Sequence, residues 1–179
     1  MPSKSLLEEA VDAWAGARQG VIAEVKNIPE RDFNYRPGQN VRSIAELVAH
    51  IIETGLMWTN ELTRPTADFT RKSFPAFIKH YAGDVAGQRA RAEWLRLLRS
   101  SYRNGARQVR EAGEVQMLQT VRRFDGELGT RLTWMHHGIA HEEYHRAQIA
   151  LNARLLGLTP ALTRVIEGSE AASLPVGGA

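Results

Sequence analysis

Two histidines one helical turn apart, His141 and His145, are the residues of this chain best placed to do chemistry. Residues four apart on a helix share a face, with Cβ atoms about 6 Å apart. Two imidazoles so placed can both reach one ion through bonds of about 2.0–2.1 Å. A half-buried imidazole also needs a partner for each ring nitrogen, which favours ligation over surface decoration. The string His141-Glu142-Glu143-Tyr144-His145 has in addition the literal form of the zinc-protease helix motif, with Glu142 in the place of the general base. The extended form of that motif is absent, because Gln148 and Leu151 hold the places of its glycine and third histidine. Glu167 or Glu170, in a short terminal segment, would be its distant third ligand. His50 is the better third ligand. Alone it would read as a core histidine, and the case for it rests on its joint occurrence with the later pair. His137, four residues before His141, is a rival that would shift the site one turn and leave His145 behind the ligands. Glu46 and Glu53 flank His50 as cap and surface charge, although Glu53 can orient an imidazole. His80 and His136 read as structural or surface residues.

The element carrying the pair spans 130–157 and contains no proline; Gly157 ends it, with Pro160 just beyond. Ala140, Tyr144, Ala147, Leu151 and Leu155 form one apolar column on it, expected to face the core. His141, His145 and Gln148 form the column beside. A first helix is expected over 5–26, with Leu7, Val11, Trp14, Val21 and Val25 on one face. A capping box, Ser43 with Glu46, opens a second that runs to about 62 and places His50 at the edge of an apolar stripe. A third is expected over 85–112, ended by Gly113, with its arginines on a solvated face. The connection 63–84 holds Pro65, Pro75 and Gly83 but also Phe74, Phe77, Ile78 and Tyr81. It reads as a functional loop or as short helical turns, bordering the site. Residues 114–129 read as extended or irregular chain with a turn at Asp125-Gly126. A short helix over 160–167 and a flexible tail over 169–179 complete the chain. Four helices without a strand set predict an all-α fold, a four-helix bundle with a short C-terminal helix, as one domain over 1–168.

The 179 residues suffice for one real core, and 43% apolar with 24% charged residues is ordinary for a globular chain. The absence of cysteine excludes disulfides, thiolate ligands and a cysteine nucleophile, and fits a cytoplasmic protein. No apolar run reaches the roughly 18–20 residues of a membrane span. The acids near the N-terminus do not suit a signal peptide. A net charge of +3 with acids interspersed among the arginines gives no reason to expect a nucleic-acid partner.

The pattern Tyr35-Arg36-Pro37-Gly38, then Ser43-Ile44-x-Glu46-x-x-x-His50, resembles the DinB/YfiT family. So does His141-x-x-x-His145-Arg146-x-Gln148 followed by Leu155-Leu156-Gly157, and the order and spacing cover nearly the whole chain. The resemblance implies an up-down-down-up bundle that commonly dimerises. It implies His50, His141 and His145 as a triad holding a divalent metal, nickel or zinc. It implies, for some members, a metal that activates a low-molecular-weight thiol for transfer or isomerisation. Arg42 stands where the family often has tryptophan, and Tyr144 and Ala147 replace a histidine and a glycine.

Three functions then compete. The first is a metal-dependent enzyme acting on small molecules, thiol-transferase-like, whose three histidines leave coordination positions open. The second is a non-catalytic metal-binding stress-response protein with a structural site. The third is an interaction module in which the histidines are incidental.

Overall fold

The computed structural model of the chain describes residues 4–87 and 89–173, and for 169–173 the backbone alone. Helices form where the apolar spacing predicts them, and side chains close most of their N-termini. Helix α1 (Leu6–Asn27) starts on Ser5, whose hydroxyl accepts from the N–H of Glu8. Helix α2 (Ile44–Leu62) has the full capping box: Ser43 Oγ accepts from the Glu46 N–H at 3.2 Å, and the Glu46 carboxylate accepts from the Ser43 N–H at 2.7 Å. The 63–84 connection contains a helix of its own, α3 (Phe74–Ala82). The third long helix, α4 (Arg91–Met117), starts six residues later than expected. Gly113 breaks its backbone at φ 79 and ψ 160, yet one further turn carries it to Met117. The extended stretch is a small antiparallel hairpin, β1 (Thr120–Arg122) with β2 (Leu128–Thr130). Helix α5 (Arg131–Leu155) begins on Thr130, which accepts from the Thr133 N–H at 3.1 Å. Helix α6 (Ala161–Ser173) is longer than the short helix expected. The expected tail is therefore helical over 169–173, and 174–179 lie outside the described residues.

Helix α1 packs on α4 and α5, and α2 packs on the same two helices, so α1 and α2 lie diagonally across a four-helix bundle. Tie points give the directions. Along α1, Trp14 meets Glu142 and Asn27 meets Thr159, so α5 runs parallel to α1. Glu8 meets Arg110 and Arg18 meets Leu98, so α4 runs antiparallel to α1. His50 lies against His141 and the Leu62 carbonyl against Arg131, so α2 opposes α5. The topology is up-down-down-up. One core cluster surrounds Trp14, Trp58, Phe69, Phe77 and Met135, the other Val21, Ile44, Ile51, Trp94 and Ile149.

Several ties that set this arrangement are buried and polar. Arg18 Nη2 donates to Glu142 Oε1 at 2.6 Å and Arg18 Nε to Oε2 at 2.9 Å, with both side chains 1% exposed. Trp14 Nε1 donates to the same carboxylate at 2.8 Å. Arg18 Nη1 reaches the Leu98 carbonyl at 2.7 Å and the Ser101 hydroxyl at 2.8 Å. A Cβ on Gly55 of α2 would stand 3.2 Å from Arg18 Nη2, so all four helices meet here. Near the other end of α1, buried Glu24 accepts from the N–H groups of Ala161 and Leu162 and seats the start of α6. At the far end of α2, buried Arg131 donates to the carbonyls of Leu62, Arg64 and Pro65.

The rotation of α5 differs from expectation. Its apolar column faces solvent: Tyr144 is 63% exposed, Leu151 54% and Leu155 55%, with Ala140 and Ala147 also exposed. Leu132, Met135, Ile139, Glu142, Ile149 and Asn152 point inward instead. The reason is Glu142, whose carboxylate is satisfied only inside the bundle against Arg18 and Trp14. Hydrophobicity alone assigns that face wrongly because the buried face is partly polar.

Removing one member of a buried pair leaves an uncompensated charge, at a cost of about 3–5 kcal/mol. Glu142→Ala is therefore expected to lower the unfolding free energy by about that amount, read from urea denaturation. The double variant Arg18→Met with Glu142→Leu should lose much less. A single variant as stable as the parent would show that the pair does not tie the bundle.

Candidate metal centre

His50 enters the site from α2, near the end anchored by the capping box, and His141 and His145 enter from antiparallel α5. The two helices close together at Gly138, where a Cβ would stand 2.7 Å from Trp58 Nε1. Only glycine admits that approach without displacing Trp58, and it falls three residues before His141. The three expected residues converge: one ring nitrogen from each lies within 4.8 Å of the others. His141 Nε2 is 3.2 Å from His50 Nε2 and 3.0 Å from His145 Nε2.

Those two short contacts fall on one nitrogen. In a neutral imidazole, Nε2 carries either one hydrogen or one lone pair. It cannot form two full hydrogen bonds, so the cluster is not satisfied by its own atoms. A cation among three lone pairs removes the conflict. With bonds of about 2.0–2.1 Å and angles near 90–110°, ligand nitrogens stand roughly 2.9–3.4 Å apart, and both observed separations lie in that range. The donor set fits a metal.

Neighbours prepare the same state. Gln148 Oε1 lies 2.8 Å from His145 Nδ1, so the amide carbonyl accepts the Nδ1 proton and leaves Nε2 with its lone pair. The Thr54 hydroxyl donates to the His50 carbonyl at 2.7 Å and offers its oxygen to His141 Nδ1 at 3.5 Å. Burial pushes His50 down to about 3, helped by the positive charge of Arg42 and by the other two histidines. Burial likewise pushes His141 to about 4, with His145, His137 and Arg42 adding to it. His145 is lowered by burial and by Arg42 against the opposing bond from Gln148. All three are neutral imidazoles at neutral pH.

The other candidates lie elsewhere. The exposed His137 stacks on Trp134, with ring centroids 4.4 Å apart and planes within 5°, and is not in the converging group. Glu142 points to α1, so the protease reading loses its general base. Glu46 is the helix cap and binds Arg36. His80 and His136 are exposed. Glu53 lines a polar cavity of about 780 Å³ on the His50 side, together with Arg36, Arg42 and Trp94. Burial pushes the Glu53 carboxyl up against the pull of Arg42. An apolar cavity of about 230 Å³ opens on the other side, against His141 and Thr54. Phe74 of the 63–84 segment lines it, as a bordering role requires, while Phe77 is in the core and Tyr81 donates to Glu61. Sequence reasoning missed Thr54, Trp134 and Phe124. The helical offsets His50 to Thr54 and His145 to Gln148 were a usable signal for the two ligand partners. Phe124 reaches the cavity only through the fold of the hairpin.

A family model described as the DinB family matches residues 1–172. No curated protein matches the chain. Among solved structures, a DinB-like protein from Bacillus subtilis, YjoA, aligns at 15% identity and a TM-score of 0.64, over 84% of this chain and 93% of its own. YfiT from Bacillus subtilis, described as a probable metal-dependent hydrolase with an unusual four-helix bundle topology, aligns at 14% identity and 0.62, over 89% and 94%. A mycothiol-dependent maleylpyruvate isomerase aligns at 13% identity and 0.64, over 83% of this chain and 61% of its own. At such identities the likeness is one of fold.

The lowered histidines fix a pH dependence for metal-free protein. The unfolded chain takes up protons below about 6.5, while folded His50 and His141 resist them until about 3 and about 4. The unfolded state thus binds more protons across this window, so stability is full above it and is lost as pH falls. Denaturant midpoints of chelator-stripped protein should fall between pH 7 and pH 4.5, and His50→Gln should flatten that slope. Equal slopes in both proteins would overturn the assignment.

Proposed function

Because the chain belongs to the DinB family, we propose that His50, His141 and His145 hold one divalent metal, nickel or zinc, in an enzyme acting on small molecules. The observation that carries this reading is the double short contact at His141 Nε2, in a cluster with cavities on both sides. Imidazole donors suit either ion. Three protein ligands and flanking cavities suit an open site better than a closed structural one. When bound, the ion supplies the charge that lowers the pKa of a thiol or water beside it.

The chain's own groups do the rest. Gln148 holds the His145 tautomer, Thr54 steadies His141, and burial keeps all three rings unprotonated. Arg36 and Arg42 line the polar cavity together with Glu46 and Glu53, a charged wall suited to a charged cosubstrate. The mycothiol dependence of the similar isomerase supports a low-molecular-weight thiol in that role. Among the described residues no helix is long and apolar enough to cross a membrane. The exposed column on α5, with exposed Leu162 of α6 lining a cavity beside Ala147, supports a homodimer.

Purified protein should contain about one metal per chain by elemental analysis. His141→Ala should abolish it, and His136→Ala should retain it. Full retention in His141→Ala would sink the triad. For the dimer, Leu151→Glu should convert the sedimenting species to monomer. A parent chain that is itself monomeric at micromolar concentration removes that part of the reading.

A further inference from the structure

The apolar cavity beside His141 meets the histidine cluster through His141 and Thr54 alone, and the metal reading assigns nothing to the rest of it. Met57, Trp58, Phe74, Phe124, Trp134 and Gly138 line most of it. No lysine, arginine, aspartate or glutamate lines it, and its polar groups are confined to Thr54, the indole N–H groups and the imidazoles of His137 and His141. A dianion there would lose most of its hydration without gaining a salt-bridge partner. Its volume of about 230 Å³ exceeds the roughly 150 Å³ that suffices for benzene in an apolar protein cavity.

The wall is built for flat rings. Phe74 and Phe124 lie 6.0 Å apart, and Phe124 and Trp134 6.5 Å apart, between ring centroids. Trp134 is held by the parallel ring of His137 and by the Arg123 guanidinium 5.7 Å from its centroid. Phe74 and Phe124 remain 39% and 37% exposed, which leaves apolar rings at the cavity's edge. The wall also carries polar groups that adjoin the histidine cluster, Thr54 Oγ1 and His141 Nδ1, 3.5 Å apart. The polar cavity, with its arginines and acids, adjoins the same cluster through His50.

We infer that the apolar cavity binds the flat, uncharged aromatic body of a small-molecule substrate, with the polar end of that molecule turned towards Thr54 and His141. One- and two-ring compounds fit, and dianionic ones are excluded. The role of this molecule as substrate rests on the metal reading above, whereas its binding does not.

The test is a titration of the ¹⁵N-labelled full chain, stripped of metal and separately reloaded with zinc, with 2-naphthol and with maleate. 2-Naphthol should give saturable shifts at the Trp58 and Trp134 indole N–H signals and at the Gly138 amide, while the Trp94 indole stays fixed. Maleate should leave those signals in place. Phe124→Ser and Phe74→Ser, each checked for a native-like spectrum, should weaken 2-naphthol about three- to tenfold by removing one ring contact, and Arg42→Ser should not. Shifts centred on Ala45 and Ala49 of the polar cavity, equal response to maleate, or no effect of either phenylalanine variant would overturn the inference. Zinc content is read separately. A chain that binds 2-naphthol but no zinc keeps the cavity assignment and refutes the metal. A chain that binds zinc but shows no saturable 2-naphthol shifts refutes the cavity assignment alone.

Discussion

The buried Arg18–Glu142 pair is the interaction on which the other contacts depend. A charge inside a helical bundle is tolerable only with a partner and with hydrogen bonds for its remaining groups. Meeting that demand draws in Trp14 and Arg18 from α1, Leu98 and Ser101 from α4, and the bare backbone of Gly55 on α2. A hydrophobic contact would tolerate some rotation of α5. A two-pronged guanidinium–carboxylate contact does not. With Glu142 fixed towards α1, its neighbour His141 faces α2 and His50. The ion pair thus sets the aim of a site it never touches.

That aim produces a cluster at odds with itself. Three neutral imidazoles, held neutral by burial, crowd two contacts onto one nitrogen. Folding positions the donors, while their neighbours turn lone pairs inward that no protein hydrogen fully satisfies. The cavities on either side differ as strongly as two pockets can, one rimmed by arginines and acids, the other by aromatic rings. A reaction between a charged partner and an apolar one could be organised there with each held in surroundings suited to its own solvation.

Much of this was legible in the sequence, and the exceptions share a cause. The capping box fixed the start of α2 and so the height of His50, and the four-residue spacing put His141 and His145 on one face. Both are local rules, and local rules survive folding. The facing of α5 was not legible, because its solvent side carries Tyr144, Leu151 and Leu155 while its buried side carries Glu142 and Asn152. Apolar patterning presumes that buried means apolar, and a satisfied buried charge inverts it. The motif-like string around Glu142 misled for the same reason, since the partner that claims its carboxylate lies 124 residues away. Phe124 became part of a cavity wall only through a hairpin that no periodicity announces.

The separation between Arg18 and Glu142 also shapes how the chain comes into being. The first helix leaves the ribosome early, yet the residue that neutralises its buried arginine is made 124 residues later. At about 5–20 residues per second, that is a wait of roughly 6–25 s. Through that interval Trp14 and the apolar face of α1 have only α2 and α4 to lean on, and Arg18 has no counter-ion inside the bundle. A three-helix stage of the nascent chain would carry an unpaired positive charge at its centre. The cost of burying that charge unpaired would keep such a stage loose and hydrated until the last long helix supplies Glu142.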